Sequence, residues 1–98
     1  MNKAHYAVIF TAEMGHLDED YFEMAKKLRA LAEEKYACVD FTAVSDGHQE
    51  IAISYWRSLE DIRAWKNDRL HLDAQRMGKE KWYRSYKVQV VKLEREYG

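Results

Sequence analysis

From His5 to Ala12 the chain is an almost unbroken apolar run, with Tyr6, Val8 and Phe10 on one face of an extended strand and Ala7 and Ile9 on the other. A strand that reads apolar on both faces is covered on both faces. Gly15 and His16 break the run. Leu17, Tyr21, Met24, Ala25, Leu28, Leu31 and Ala32 then recur at helical spacing, and Asp18, Glu19 and Asp20 stand where the helix dipole favours negative charge. This pattern predicts a helix running to about Lys35.

Val39, Phe41 and Ala43 alternate with Asp40 and Thr42, which predicts a strand over Cys38 to Val44 with one wetter face. Asp46-Gly47 marks a tight hairpin, because such turns need positive φ and glycine supplies it cheaply. Ile51, Ala52, Ile53, Tyr55 and Trp56 form the partner strand. Ser58, with Asp61 three residues on, opens the next helix in the manner of a capping box, and Leu59, Ile62 and Trp65 give that helix its apolar stripe. Leu70, His71, Ala74 and Gln75 suit one further short helix that ends at Met77-Gly78, with another turn over Lys79 to Tyr83. Tyr86, Val88, Val90 and Val91 make the last strand, and Glu94-Arg95-Glu96 extends beyond it.

The order β-α-β-β-α-β is the ferredoxin-like split βαβ arrangement, an α+β fold with both crossover helices on one face of a four-stranded antiparallel sheet. The opposite face carries bulky apolar residues too, and an uncovered apolar face marks an association surface. A two-fold homodimer with its sheets face to face covers it most economically.

Composition narrows the function more than the fold. Ninety-eight residues make one domain, expected over 1–98. The lone Cys38 has no disulfide partner and no companion for a metal, which suits a reducing cytoplasm. No window has the long apolar run of a membrane span, and the N-terminus lacks the basic-then-apolar pattern of a signal peptide. A net charge of −1 with interspersed signs argues against nucleic acid as a partner. Lys79, Lys81, Arg84 and Lys87 come nearest to a basic patch, but Glu80 among them fits a solvated face. Three Trp, seven Tyr and three Phe are many for so charged a chain, and they call for a second buried surface.

Ser54-Tyr55-Trp56, Ser58-Leu59-Glu60, Trp65, His71, Ala74-Gln75, Gly78, Trp82-Tyr83 and the Tyr86-Val88-Val90 strand together resemble the antibiotic biosynthesis monooxygenase (ABM) family of the dimeric α+β barrel superfamily. The opening Tyr6-Ala7-Val8-Ile9-Phe10-Thr11 is similar to the first strand of its short bacterial members. The resemblance covers nearly the whole chain and implies a dimeric barrel. Such proteins include oxygenases that turn dihydroxy-aromatic polyketides into quinones without a cofactor, and haem-degrading enzymes. In the haem-degrading branch a histidine follows the tryptophan equivalent to Trp65 and binds iron. That position falls on Gln75 here, and an amide oxygen is a poor iron ligand beside imidazole. His71 lies one turn earlier on the same helix face. Glu34-Lys35-Tyr36-Ala37 also lacks the Pro-Gly turn common before the second strand of relatives.

Cofactor-free oxygenation needs an electron-rich aromatic substrate, a flat apolar pocket, a base or hydrogen-bond acceptor, and a donor for developing oxygen charge. His71 is the candidate base, its ordinary pKa lying near neutrality, with Trp65 and Gln75 beside it as catalytic candidates. Tyr55, Trp82 and Tyr83 are candidates for binding the substrate, with Trp65, Tyr55 and Trp82 as walls and Tyr83 or Gln75 as donors. Each also has a structural reading. His71 suits a structural hydrogen bond, Trp65 suits core packing beside Ile62, and Trp82 and Tyr83 suit an aromatic seal on the subunit contact. Tyr55 and Trp56 alternate, so one faces the helices and the other the dimer interface. His5, His16, His48 and His71 lack zinc-ligand spacing, and no glycine-rich phosphate loop is present. The expectation is a homodimeric monooxygenase that acts on an aromatic or quinol-type compound with no metal and no cofactor. The alternatives are a haem-binding or haem-degrading relative and a non-enzymatic barrel that binds a small apolar ligand.

Overall fold

The computed structural model describes residues 4–98, so the first three residues of the domain expected over 1–98 lie outside the described residues. The opening apolar run forms β1 (Tyr6–Met14), which outlasts its apolar pattern because Glu13 and Met14 still pair with the neighbouring strand. α1 (Glu19–Glu34) is capped by Asp18, whose Oδ1 accepts the Tyr21 N–H at 3.0 Å. The turn that follows is made without glycine, since Ala37 takes a φ of 61°. Cys38 N–H bonds back to the Ala32 carbonyl at 2.9 Å and so closes the helix. That contact delays β2 (Asp40–Ser45) by two residues relative to the expected start at Cys38.

β3 (Gln49–Trp56) returns through the expected hairpin, in which Gly47 has a φ of 92°. Asp46 Oδ1 accepts the His48 and Gln49 N–H groups, each at 2.8 Å. α2 (Leu59–Lys66) starts where Ser58 Oγ accepts the Asp61 N–H at 3.1 Å. α3 (Arg69–Met77) is capped by Asp68, which also accepts the Tyr36 hydroxyl at 2.6 Å. α3 ends at Met77 with Gly78 as its C-cap, as expected, and the expected further turn follows. Gly78 keeps right-handed helical geometry and the backbone runs on through a π-helical turn, Gly78–Trp82, into β4 (Tyr83–Lys92). Glycine is needed at this point for close approach, because a Cβ on Gly78 would stand 2.7 Å from the Tyr83 ring.

All pairings are antiparallel, in the order β2-β3-β1-β4. The register sets Val8 opposite Ser54, Phe10 opposite Ala52 and Val88, and Ala12 opposite Glu50 and Tyr86. This set of residues faces the helices. Two buried clusters join helices and sheet: Val8, Ala32, Trp56, Ile62 and Trp65 in one, and Ala12, Met14, Tyr21 and Trp82 in the other. The alternate set puts Ile9, Ile51, Ile53, Tyr55 and Val44 on the opposite face, where Val44 is 62% and Ile51 42% exposed. No helix among the described residues is long and apolar enough to cross a membrane.

Candidate functional site

Between sheet and helices lies a cavity of about 320 Å³ bordered by both clusters. That volume falls in the range of small-molecule sites, roughly 300–1,000 Å³. It exists because small residues face each other across the layer: Ala43, Ala52 and Ser54 on the sheet, Ala25 and Ala74 on the helices. Phe10, Phe41 and Val88 form its floor, and Trp65, His71 and Gln75 descend from the second crossover. Five of the six expected site residues therefore converge: Trp65, His71, Gln75, Trp82 and Tyr83. Tyr55 does not join them. Ser54 and Trp56 are buried toward the helices, so strand alternation sends Tyr55 to the opposite face.

Tyr83 reaches the cavity through an irregularity. Glu13 pairs with Ser85 but Met14 pairs with Tyr83, leaving Arg84 as an extra residue in β4. A regular strand would set Tyr83 and Tyr86 on opposite faces. The bulge brings both inward, with Phe10 5.3 Å from the Tyr83 ring and 5.9 Å from the Tyr86 ring.

The indole N–H groups of the walls are already engaged. Trp65 Nε1 donates to the Leu28 carbonyl at 3.3 Å, and Trp82 Nε1 donates to Asp18 Oδ1 at 3.1 Å. Asp18 therefore serves three partners: the α1 N-terminus, the Trp82 indole and Lys81 Nζ at 2.7 Å. The Lys81 ammonium holds the Asp18 carboxyl below the usual carboxylate range. The expected basic face is thus partly paired, and Arg84 lies 3.8 Å from Glu13. Trp82 is buried within its own chain against Tyr21, with ring centroids 5.4 Å apart, and so needs no subunit contact to cover it.

The imidazole of His71 meets the Trp65 ring edge-on at 4.5 Å, and its buried Nδ1 has no hydrogen-bond partner. Burial first, then the neighbouring Lys66 charge, depress its pKa to about 4. That value lies below the near-neutral one on which the candidate-base reading of His71 rests. His71 stays neutral through the physiological range and acts as a hydrogen-bond acceptor of weak basicity.

At the other end, the Tyr21 hydroxyl donates to Glu50 Oε1. Among the described residues that line the cavity, Glu50 is the one carboxylate. Burial and this contact raise the Tyr21 pKa above its ordinary value. Burial, followed by the Glu50 charge, pushes Tyr83 up to about 12. Both phenols remain protonated donors. The Tyr21–Glu50 pair had no local signal, because Tyr21 reads as part of an apolar helical stripe and its partner is 29 residues away. No group of three or more His, Cys, Asp or Glu among the described residues is arranged to hold a metal ion.

Comparison with known proteins places this geometry. No family model matches the chain. The uncharacterized protein YqjZ of Bacillus subtilis (strain 168) is 34% identical over 94 residues, spanning 94% of this chain and 82% of that protein. The cofactor-independent oxygenase SnoaB of Streptomyces nogalater superposes with a TM-score of 0.77 at 7% identity, covering 96% of this chain and 97% of SnoaB. A candidate antibiotic biosynthesis monooxygenase of Nitrosomonas europaea superposes with a TM-score of 0.73 at 12% identity, over 100% of this chain and 99% of that one.

Proposed function

The chain belongs to one family with YqjZ and has the antibiotic biosynthesis monooxygenase fold, and from that premise we propose that it is a cofactor-independent monooxygenase of aromatic, quinol-type small molecules. One observation carries the proposal: an aromatic cavity holds an unpartnered imidazole nitrogen at one end and a phenol–carboxylate pair at the other. A flat hydroxyarene lies between Phe10, Phe41 and Trp65, and its hydroxyl donates to neutral His71. Glu50, which accepts the Tyr21 hydroxyl, receives the proton that leaves the substrate.

The resulting substrate anion is electron-rich enough to reduce dioxygen itself. One electron passes to dioxygen, superoxide recombines at the ring carbon, and the hydroperoxide loses water to leave a carbonyl. For an anthrone the balance is one anthrone and one dioxygen in, one anthraquinone and one water out. With both indoles engaged, Tyr83 and the Gln75 amide are donors in the lining that stabilise the developing oxygen charge. Gln75 in the lining also weighs against haem, for the reason given by its ligand chemistry.

The partly exposed Ile51, Ile53 and Tyr55 face supports a homodimer with sheets apposed, and Tyr55 belongs to that contact in this proposal. The lone Cys38, whose thiol pKa burial raises, suits a reducing cytoplasm. Oxygen uptake with a panel of dihydroxynaphthalenes and anthrones tests the reading. Uptake above the buffer rate, undiminished by chelators, is expected. Tight ligand binding with no uptake across the panel would assign the chain to ligand binding instead.

A further inference from the structure

The cavity described above is apolar inside, but its exposed lining is cationic. Lys26 and Arg29 stand one turn apart on α1, and Lys66 comes from the end of α2. Arg29 and Lys26 are exposed while Trp65, Tyr21 and Trp82 are buried, so the charges form the rim and the rings the interior. Three cations from two helices meet one lining carboxylate, and Glu50 is already bonded to Tyr21 on the buried side.

The rim charges are weakly committed elsewhere. Arg29 reaches Glu33 at 3.6 Å across a half-exposed i,i+4 pair, an arrangement worth little. Its guanidinium also lies 5.4 Å from the Phe41 ring of the cavity floor, which aims it at the opening. Lys66 lines the same cavity as His71, from the end of α2. The nearby Asp68 carboxylate is occupied by the Tyr36 hydroxyl and Lys35. Glu33 lies outside the lining, whose charged residues are Lys26, Arg29, Lys66 and Glu50. This rim carries an excess of one sign around an apolar hole.

We propose that the substrate is an aromatic acid, its ring in the cavity and its carboxylate held at the rim by Lys26, Arg29 and Lys66. The inference rests on the aromatic-substrate reading above and adds the charge of the substrate to it. The rim then sets orientation: with the acid at the opening, the hydroxylated ring edge points inward toward His71 and Glu50.

A hydroxynaphthoic acid and its methyl ester, both inert to oxygen, test the rim apart from turnover, with binding read by calorimetry. The acid is expected to bind about tenfold more tightly than the ester at low salt, the scale of one or two partly desolvated charge contacts. The preference should shrink at high salt, a measurement that needs no variant. The Lys26→Glu/Arg29→Glu double variant and Lys66→Gln should each bring the acid-to-ester ratio toward one, with folding checked by circular dichroism. Equal affinity of acid and ester in the native chain overturns the inference, as does a tenfold preference that survives charge reversal. Acid-selective binding without oxygen uptake on dihydroxynaphthoic acids would defeat the oxygenase reading alone. Uptake with no acid preference would defeat the rim alone.

Discussion

The two ends of the helix–sheet layer are built from the same kinds of residue and behave differently. At one end Trp56 is fully buried, packs with its ring tilted 5.1 Å from Trp65 and donates its indole N–H to Ser54, two residues back, at 2.8 Å. At the other end Trp82 and Tyr21 meet at similar distance, but their polar atoms reach across the fold to Asp18 and Glu50. Aromatic bulk is common to both. What differs is where the hydrogen bonds go, and that difference separates a packing core from a site able to handle protons.

The comparison breaks most visibly at Trp56. Trp56→Ala should lower stability by about 3–5 kcal/mol, since it removes a fully buried ring and orphans Ser54. Urea unfolding followed by circular dichroism measures this. A loss under 1 kcal/mol on the same scale would mean the dry cluster is not the main stabilising end.

Tyr21→Phe probes the wired end and should reverse the pattern. Stability falls by about 1–3 kcal/mol, the cost of leaving a partly buried acceptor without its donor. Oxygen uptake on a responsive substrate should fall on the order of a hundredfold, the usual worth of a positioned proton acceptor. A variant that loses stability but keeps its rate would make the Tyr21–Glu50 pair structural.

An effect that vanishes at neutral pH concerns His71, which belongs to the dry cluster by contact and to the site by position. Its folded pKa of about 4 lies below the ordinary 6.5, so the unfolded chain binds the extra proton between those values. Stability is therefore complete above pH 6.5 and declines by at most about 3 kcal/mol as pH falls toward 4. His71→Leu should flatten the stability profile across that window. A native profile already flat there would show that the imidazole is solvated, and the near-neutral base would return as the better reading.

Local chemistry made most of the fold legible. Asp46-Gly47, Ser58 and the α1 stripe act through neighbours in sequence, and each forms as its residues require. Other positions depend on contacts between elements. Gly78 ends α3 as its sequence suggests, but the reason for glycine there is the Tyr83 ring pressed against it, and the turn that follows is π-helical. Ala37 supplies a left-handed turn where the sequence has no Pro-Gly. Tyr83 faces inward only because of the bulge opposite Glu13 and Met14. Tyr55 was a matter of parity, settled by the burial of Ser54 and Trp56 on either side. In the site, Trp65, His71, Gln75, Trp82 and Tyr83 were visible as types at plausible spacing, whereas Tyr21 and Glu50 gain meaning only from each other.

The central claim is that this chain's own residues carry an aromatic substrate through reaction with dioxygen. Labelled dioxygen tests it most directly: the metal-free, flavin-free protein is incubated with an anthrone under heavy-oxygen gas, and the quinone is weighed by mass spectrometry. The account predicts one labelled oxygen atom in each quinone formed, at a rate that Tyr21→Phe reduces. Quinone formed no faster than without protein, or quinone carrying oxygen from water, would contradict it.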